Sequence, residues 1–315
     1  MTPPTTVLVA GSANLDFVVR APHVPAPGET VLGRDFATFP GGKGANQAVA
    51  CARAGGAYTR MLLALGDDPY AAVLDRALAE AGVERHVIRV PEAASGTAFI
   101  CLSDDAENAI TVAPGANAAL RPHHLPSLRG VSHLLLQLET PLDTVVSFAH
   151  IARAAGVRVM LNAAPANALP AGLLDDVDLL VVNEGELATL AGPGTLAEQL
   201  ARLPVPCVVV TLGARGCIAR RGGELFMQPA FPVEAVDTTA AGDTFCGALA
   251  ARLAQHASLA DALRFASAAS ALACTRLGAQ TSVPTCAEVD AWLAEQANET
   301  PRREALAAYS GLPGS

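Results

Sequence analysis

The sequence predicts an α/β protein: a mainly parallel central sheet with helices on both faces, and a small extra β-sheet inserted into it. Two observations carry this expectation. From residue 133 onward, short apolar runs alternate with helical patterns at the spacing of strand–helix–strand units. Nearer the N-terminus, segments at 17–39 and 97–112 interrupt that rhythm with short alternating stretches of their own. With 315 residues, 51% of them apolar, the chain has enough material for a substantial core.

Composition excludes several classes of function. The net charge of −9 leaves no basic stripe to meet a nucleic-acid backbone. No unbroken apolar run is long enough to span a bilayer, and no basic-then-apolar leader opens the chain. A soluble, cytoplasmic protein with no membrane or nucleic-acid partner is expected. The seven cysteines are odd in number and lack C-x-x-C spacing, so they read as small core residues in a reducing compartment.

Taken in order, Thr6–Ala10 is a β-branched run ended by Gly11-Ser12, the pattern of a buried strand. Asn14 and Asp16 follow at its C-terminal edge, where open α/β sheets collect ligands, although both residue types also cap turns. Pro22, Pro25 and Pro27 forbid a helix in the next stretch. Phe17–Arg20 and Thr30–Arg34 read as antiparallel strands about a proline-rich turn. Thr97–Leu102 and Asn108–Val112 read as a second pair, bridged by Ser103-Asp104-Asp105. A sheet this small cannot bury both faces alone, so it should cover a ligand, a partner subunit, or both.

Pro40-Gly41-Gly42-Lys43-Gly44-Ala45-Asn46-Gln47 precedes a helical run from Ala48 to Ala54. It is not a P-loop, because Gly44 stands where Ser or Thr would follow the lysine. Its glycines either permit close approach of a small ligand, with Lys43 and Asn46 supplying hydrogen bonds, or form a plain tight turn. Strands are next expected at His133–Leu138, Val157–Leu161, Leu179–Val182 and Cys207–Thr211, with helices near 142–155, 186–190 and 196–203. Polar groups recur after them: Glu139, Asn183 and Thr211, the last leading into Gly213-Ala214-Arg215-Gly216. Gly192-Pro193-Gly194-Thr195-Leu196-Ala197 formally matches the dinucleotide fingerprint, but it follows a helical stretch and contains a proline, so a Rossmann site is rejected.

Asp237-Thr238-Thr239-Ala240-Ala241-Gly242-Asp243-Thr244-Phe245 then feeds small residues straight into a helix. The first N–H groups of such a helix are unpaired and sit at the positive end of its dipole, a ready anion site. Asp243 reads as a helix cap or as a general base for phosphoryl transfer. Helices follow at 245–256, 259–277 and 287–297, and the tail beyond Pro301 reads as loose.

Three of these blocks together resemble the ribokinase family of carbohydrate kinases. Residues 40–47 are similar to its N-terminal signature, 237–245 to its C-terminal signature, and Asn183-Glu184-Gly185-Glu186 to its N-x-x-E element. Gly115–Leu120 and Gln137–Pro141 match as well, and the likeness covers roughly residues 6–296. It implies a three-layer α/β/α sandwich with the inserted strands as a lid, a single kinase domain over 1–300 and a flexible tail over 301–315. It also implies ATP-dependent phosphorylation of D-ribose at O5. Asp243 would be the base, and the N–H groups of Ala240, Ala241, Gly242 and Asp243 the anion hole. Asn14, Asp16, Gly42, Lys43, Asn46 and Glu139 would hold the sugar. Asn183, Thr211, Gly213, Arg215, Gly216, Gly242 and Ser267 would meet the nucleotide. Asn183 and Glu186 would organise Mg²⁺ through water, and Asp237, Thr239, Ala273, Arg276, Gly278 and Ser282 an activating K⁺. The lid would also pair two subunits into a homodimer. The alternatives are a related kinase (of deoxyribose, fructose or pseudouridine) and a non-catalytic sugar-binding regulator. A nucleoside acceptor would need an aromatic platform, for which only Phe17, Phe36, Phe39 and Phe99 are placed.

Overall fold

The computed structural model describes residues 5–103, 108–296 and 300–312. In chain order the elements are β1 (Thr6–Ala10), β2 (Asn14–Ala21), β3 (Arg34–Gly41), α1 (Lys43–Arg53), β4 (Tyr58–Leu65), α2 (Pro69–Glu80) and β5 (Glu84–Arg89). Then come β6 (Gly96–Ser103), β7 (Asn108–Ala113), β8 (Val131–Leu136), α3 (Leu142–Ala154), β9 (Arg158–Asn162), β10 (Leu179–Asn183), α4 (Glu184–Ala191) and α5 (Leu196–Arg202). The chain closes with β11 (Cys207–Thr211), β12 (Gly216–Arg221), β13 (Glu224–Pro229), α6 (Ala241–Ala254), α7 (Leu259–Cys274), α8 (Cys286–Glu295) and α9 (Thr300–Ser310).

The short apolar strands sort their side chains between two cores. On β1, Val7 and Val9 enter one core with α1, α6 and α7, while Leu8 and Ala10 enter the other with α3. Among the described residues the main sheet has nine strands in the order β13-β12-β11-β10-β9-β8-β1-β4-β5. Pairing is parallel from β5 across to β11 and antiparallel only for the β11-β12-β13 edge. The order reverses at β1, which lies between β4 and β8, and such a switch point is where an open parallel sheet forms its ligand crevice. The expected α/β architecture, parallel sheet plus separate small sheet, is the one found.

The small sheet runs β3-β2-β6-β7, with β2 and β6 parallel at its centre. Its second strand pair falls where expected, and residues 104 and 105 of the intervening turn lie outside the described residues. The first pair differs. Thr30–Gly33 is not strand; β3 begins at Arg34, and its register runs from Arg20↔Arg34 to Asn14↔Gly41. Pro40 fits there because β3 is an edge strand and has one side free of ladder bonds.

A second difference shapes the site. The helix expected from Ala48 starts at Lys43, so Lys43, Asn46 and Gln47 stand on one helical face rather than on a loop. Gly42 makes this start possible at φ +89, and a Cβ on Gly44 would fall 2.6 Å from the Gly11 carbonyl carbon. Residues 58–89 add a strand–helix–strand unit, and 216–229 a hairpin, that the sequence pattern leaves unassigned. Residues 300–310 are helical where a loose tail was expected, with Leu306 only 2% exposed against the second core. No helix among the described residues is long and apolar enough to cross a membrane.

α1 and α6 pack closely through Gly247, where a Cβ would lie 2.3 Å from Gln47 O and 2.7 Å from Cys51 N. Because the obstacle is backbone, Gly247→Ala is expected to cost about 1–3 kcal/mol of stability, measured as a lowered urea midpoint at unchanged m.

Candidate active site

Asp243 decides how the site is read. It lies in the first turn of α6, behind Ala240, which takes the left-handed conformation at φ 57. Both carboxylate oxygens are committed to amides of α1: Asn46 Nδ2 donates to Oδ2 at 3.0 Å and Gln47 Nε2 to Oδ1 at 2.9 Å. A cap would instead accept from the backbone of its own helix start, so the carboxylate is held for something else. It is 8% exposed. Asn46 Oδ1, beside it, is buried with no hydrogen-bond partner, an acceptor left for a ligand hydroxyl.

The turn behind Asp243 offers fewer donors than expected. The Ala241 N–H donates to Thr238 O at 3.2 Å, and the Thr244 N–H donates to Ala240 O. Helix geometry leaves the N–H groups of Gly242 and Asp243 to face an anion. Nothing lies within 4 Å of a Cβ placed on Gly242, which opens on the cavity. That cavity is lined by Lys43, Asn162, Asn183, Glu186, Thr211, Thr238 and residues 240–243, with Ala164, Val181 and Cys246. Asn162, Asn183 and Thr211 stand at the C-terminal ends of β9, β10 and β11, with Asn183 and Thr211 directly paired.

Lys43 separates this half from a second one. Its pKa is raised, chiefly by Asp243 and, against the cost of burial, by Glu139 and Glu186. Across it, Glu139 Oε2 accepts from Ser12 Oγ at 2.6 Å and from the Lys43 N–H at 3.1 Å. Asn14 Oδ1 accepts from Asn117 Nδ2 at 2.8 Å. Asp16 is pushed up to about 7 by burial, then by Glu139 and Asp243. Gly41 sits against it so closely that a Cβ would be 2.1 Å from Asp16 Oδ2. Polar, acidic and nearly free of aromatics, this half suits a small polyol. Phe17 stacks on both Phe36 and Phe99, with Phe17 opposite Phe99 and Val19 opposite Phe36 in the register. They occupy the lid face opposite to Asp16, and of the four phenylalanines only Phe39 shares its face.

Glu186 and Asn183 form a capping box: Glu186 Oε2 accepts from the Asn183 N–H and Asn183 Oδ1 from the Glu186 N–H, both at 2.8 Å. Glu186 is 8% exposed, and burial raises its pKa. A divalent cation would offset that cost, and the Glu186 carboxylate beside Asn183 on the cavity wall, with Oε1 outside the capping box, fits water-mediated Mg²⁺. No group of three or more His, Cys, Asp or Glu among the described residues could cage a metal directly.

The other predicted residues are placed less uniformly. Gly213 and Arg215 form a turn after β11, just ahead of Gly216; the Arg215 guanidinium lies 3.5 Å from Glu184 and over the Tyr309 ring at 4.0 Å. Ser267 is set apart on α7, buried, with its hydroxyl 3.8 Å from Cys217 Sγ, and is not on the cavity lining. Asp237, Thr239 and Gly278 do meet: Asp237 accepts from the Thr239 and Gly278 N–H groups, each at 2.9 Å. Burial acts to raise Asp237, but bonds from the Thr239 side chain and from the Gly278 and Thr239 backbone leave it lowered. Ala273 and Arg276 lie at the C-terminal end of α7, whose Cys274 carbonyl accepts from the Val236 and Asp237 N–H groups. The Arg276 side chain turns away to Glu288 at 2.7 Å, and Ser282 Oγ donates to Ala279 O. Asp237 is thus tied by backbone N–H groups, and the Ala273 carbonyl accepts from the Arg276 N–H, so the predicted cation residues are neighbours engaged mainly with one another. Sequence reasoning passed over Ser12, Gln47, Asn117, Gln137 and Thr238 as site residues. Asn162 carried a usable signal, a polar residue ending a parallel strand.

A model described as pfkB family carbohydrate kinase matches residues 4–286. The chain belongs to that family. A ribokinase from Haemophilus influenzae is 39% identical over 293 residues, covering 89% of this chain and 95% of the relative. A deoxyribokinase from Salmonella typhi is 32% identical over 301 residues, covering 91% and 98%. Arabidopsis thaliana ribokinase, solved with ribose and ATP, superposes with a TM-score of 0.85 at 33% identity over 94% of this chain and 100% of its own. This chain is therefore an ATP-dependent carbohydrate kinase with a ribokinase-like fold.

Proposed function

We propose that the protein phosphorylates D-ribose at its 5-hydroxyl, using ATP, by in-line transfer. The observation that carries this is Asp243, fixed by two amides at a helix N-terminus beside the orphan acceptor of Asn46. Asp243 takes the proton of the primary hydroxyl as its oxygen attacks the γ-phosphorus and the bond to the β-phosphate breaks, releasing ADP. The N–H groups of Gly242 and Asp243 meet the charge that builds on the transferring group, and the partly buried Lys43 adds a cation close by. Asn14, Asp16, Asn46 and Glu139 hold the sugar hydroxyls, Gly42 permits their approach, and Thr211 to Gly216 meet the nucleotide. Asn183 and Glu186 would hold Mg²⁺ through water, which would neutralise phosphate charge. Asp237, Thr239, Gly278 and Ser282, with the carbonyls of Ala273 and Arg276, would hold K⁺ and temper the negative charge near the anion turn.

The unit acts as one kinase domain over 1–300, in the cytoplasm, where all seven cysteines stay reduced. Two copies pair through the sugar-facing side of the lid, where Ile110 and Val112 are 55% and 41% exposed. A deoxyribose acceptor is the second reading, favoured by the Salmonella typhi relative. A nucleoside acceptor is disfavoured because the aromatic stack lies on the wrong face of the lid. Phosphorus–proton coupling in the product's NMR spectrum tests the position: phosphate on the exocyclic C5 oxygen is expected, and an anomeric phosphate would refute it.

The raised Asp16 gives a pH dependence with a definite sign. Sugar hydroxyls need the ionised carboxylate as acceptor, so sugar affinity is expected to strengthen as pH rises through about 7. The same shift works against stability: the folded state holds this proton while the unfolded chain has lost it, so this group's contribution falls from about pH 4 to 7. Sugar KM measured from about pH 6 to 8 checks the first point. Asp16→Asn should raise KM and flatten the profile.

A further inference from the structure

Behind Asp243 the Gln47 amide continues into further buried amides, Gln137 and Asn162, that the roles above do not use. Gln47 is 0% exposed and Gln137, just past β8, is 1% exposed. Gln137 Nε2 donates to Gln47 Oε1 at 2.6 Å, while Gln47 Nε2 donates to Asp243 Oδ1 at 2.9 Å and to Asn162 Oδ1 at 3.0 Å. Asn162 in turn donates to Val181 O. An amide can face two ways, and the polarity here is set by the Asp243 carboxylate, which can only accept; at the far end of these amides Gln137 Oε1 is buried without a partner. With its carbonyl occupied by Gln137, Gln47 can offer Asp243 only N–H, and a flip would put a carbonyl oxygen against a carboxylate. Gly11 leaves room for the Gln137 end, since a Cβ there would lie 2.0 Å from Gln137 Oε1.

We propose that Gln47 is a positioning residue for Asp243, holding its carboxylate as an acceptor aimed at the sugar hydroxyl, and that Gln137 supports it by occupying the Gln47 carbonyl. The proposal rests on Asp243 being the base. Gln47 touches neither reacting group, so its loss should act on turnover more than on binding. The charged groups facing this point are Lys43 on α1, Asp16 on β2, Glu139 after β8 and Glu186 on α4, with the Cys246 thiol on α6. Lys43 is the cation among three carboxylates besides Asp243, so a carboxyl introduced at position 47 would keep its proton well above the ordinary carboxylate range.

The test uses the full chain with whichever sugar it prefers, held at saturation so that Asp16 titration does not enter. Gln47→Met is expected to lower kcat by about tenfold or more while both KM values stay within about threefold. Gln47→Glu should be nearly inactive at about pH 8 and regain activity toward about pH 6, as the introduced carboxyl is protonated and donates again. Wild type should show no such gain, and Gln137→Met should give a smaller loss in the same direction as Gln47→Met. Wild-type kcat in Gln47→Met, or a Gln47→Glu profile that parallels wild type, would overturn the proposal. If Gln47→Met fails to fold, the pH rescue of Gln47→Glu and the kcat of Gln137→Met decide, and absence of both effects also overturns it. Asp243→Ala assayed alongside separates the cases: retained turnover there sinks the base itself, whatever Gln47 does.

Discussion

Asp243→Ala is expected to reduce kcat by about 10²–10⁴-fold, the range for removing a general base, while sugar binding measured by calorimetry persists. The split follows from the geometry. Asp243 is held by Asn46 and Gln47, whereas Asn14 and Glu139, proposed to hold the sugar, are bonded separately to Asn117 and Ser12, and Gly41 leaves room for Asp16. Removing one carboxylate also relieves repulsion with Asp16, so sugar affinity is not expected to weaken. Near-normal turnover in the variant would return Asp243 to a structural role.

Lys43→Met should have the next largest effect, and on stability as well as rate. The partly buried lysine lies among Asp243, Glu139 and Glu186, so its removal leaves these carboxylates without the cation that offsets them. Lys43 and Glu139 are only partly buried, so the cost should fall below that of breaking a fully buried pair, at about 1–3 kcal/mol. Asp16 and Glu186, already raised by burial, are the groups that would then take up protons most readily. The deficit should therefore shrink as pH falls from about 8 to 5, the opposite of ordinary acid destabilisation. Urea midpoints of variant and wild type across that range give the measurement; a deficit that does not change with pH would show that Lys43 acts by packing alone.

Much of the fold was legible because it rests on local periodicity. β1 and β11 are five-residue apolar runs that the sequence delimits to the residue, and α3, α5 and α8 differ from their expected bounds by one or two positions. The start of α1 was not legible. Glycines in a row signal a turn; here Gly41 ends β3, Gly42 caps the helix, and Gly44 alone of the three is helical, with the backbone at Gly11 and Ser12 lying against it. That contact joins residues far apart in sequence. The same holds for the site. Asp243, Lys43, Asn183 and Glu186 stood out because charge or position after a strand marked them. Gln47, Gln137 and Asn162 are neutral amides brought together across 90 and 115 residues, and their meaning comes only from whom they touch. β3 was misplaced because Thr30–Gly33 alternates as well as Arg34–Gly41 does; only pairing with β2 distinguishes them.

The preference for one acceptor follows from the hydrogen-bonding groups of the sugar half of the site. A hydrogen-bonding site loses most when the substrate lacks a hydroxyl that its buried groups expect, so discrimination should be large. Asp16, Asn46 and Glu139 offer such a site, with no aromatic stack on their side of the lid. The most direct test is ADP release with D-ribose, deoxyribose, fructose and nucleosides, compared as kcat/KM with and without K⁺. The prediction is that D-ribose exceeds every other acceptor by at least about tenfold and that K⁺ raises the rate. A higher kcat/KM for deoxyribose, fructose or any nucleoside would contradict it.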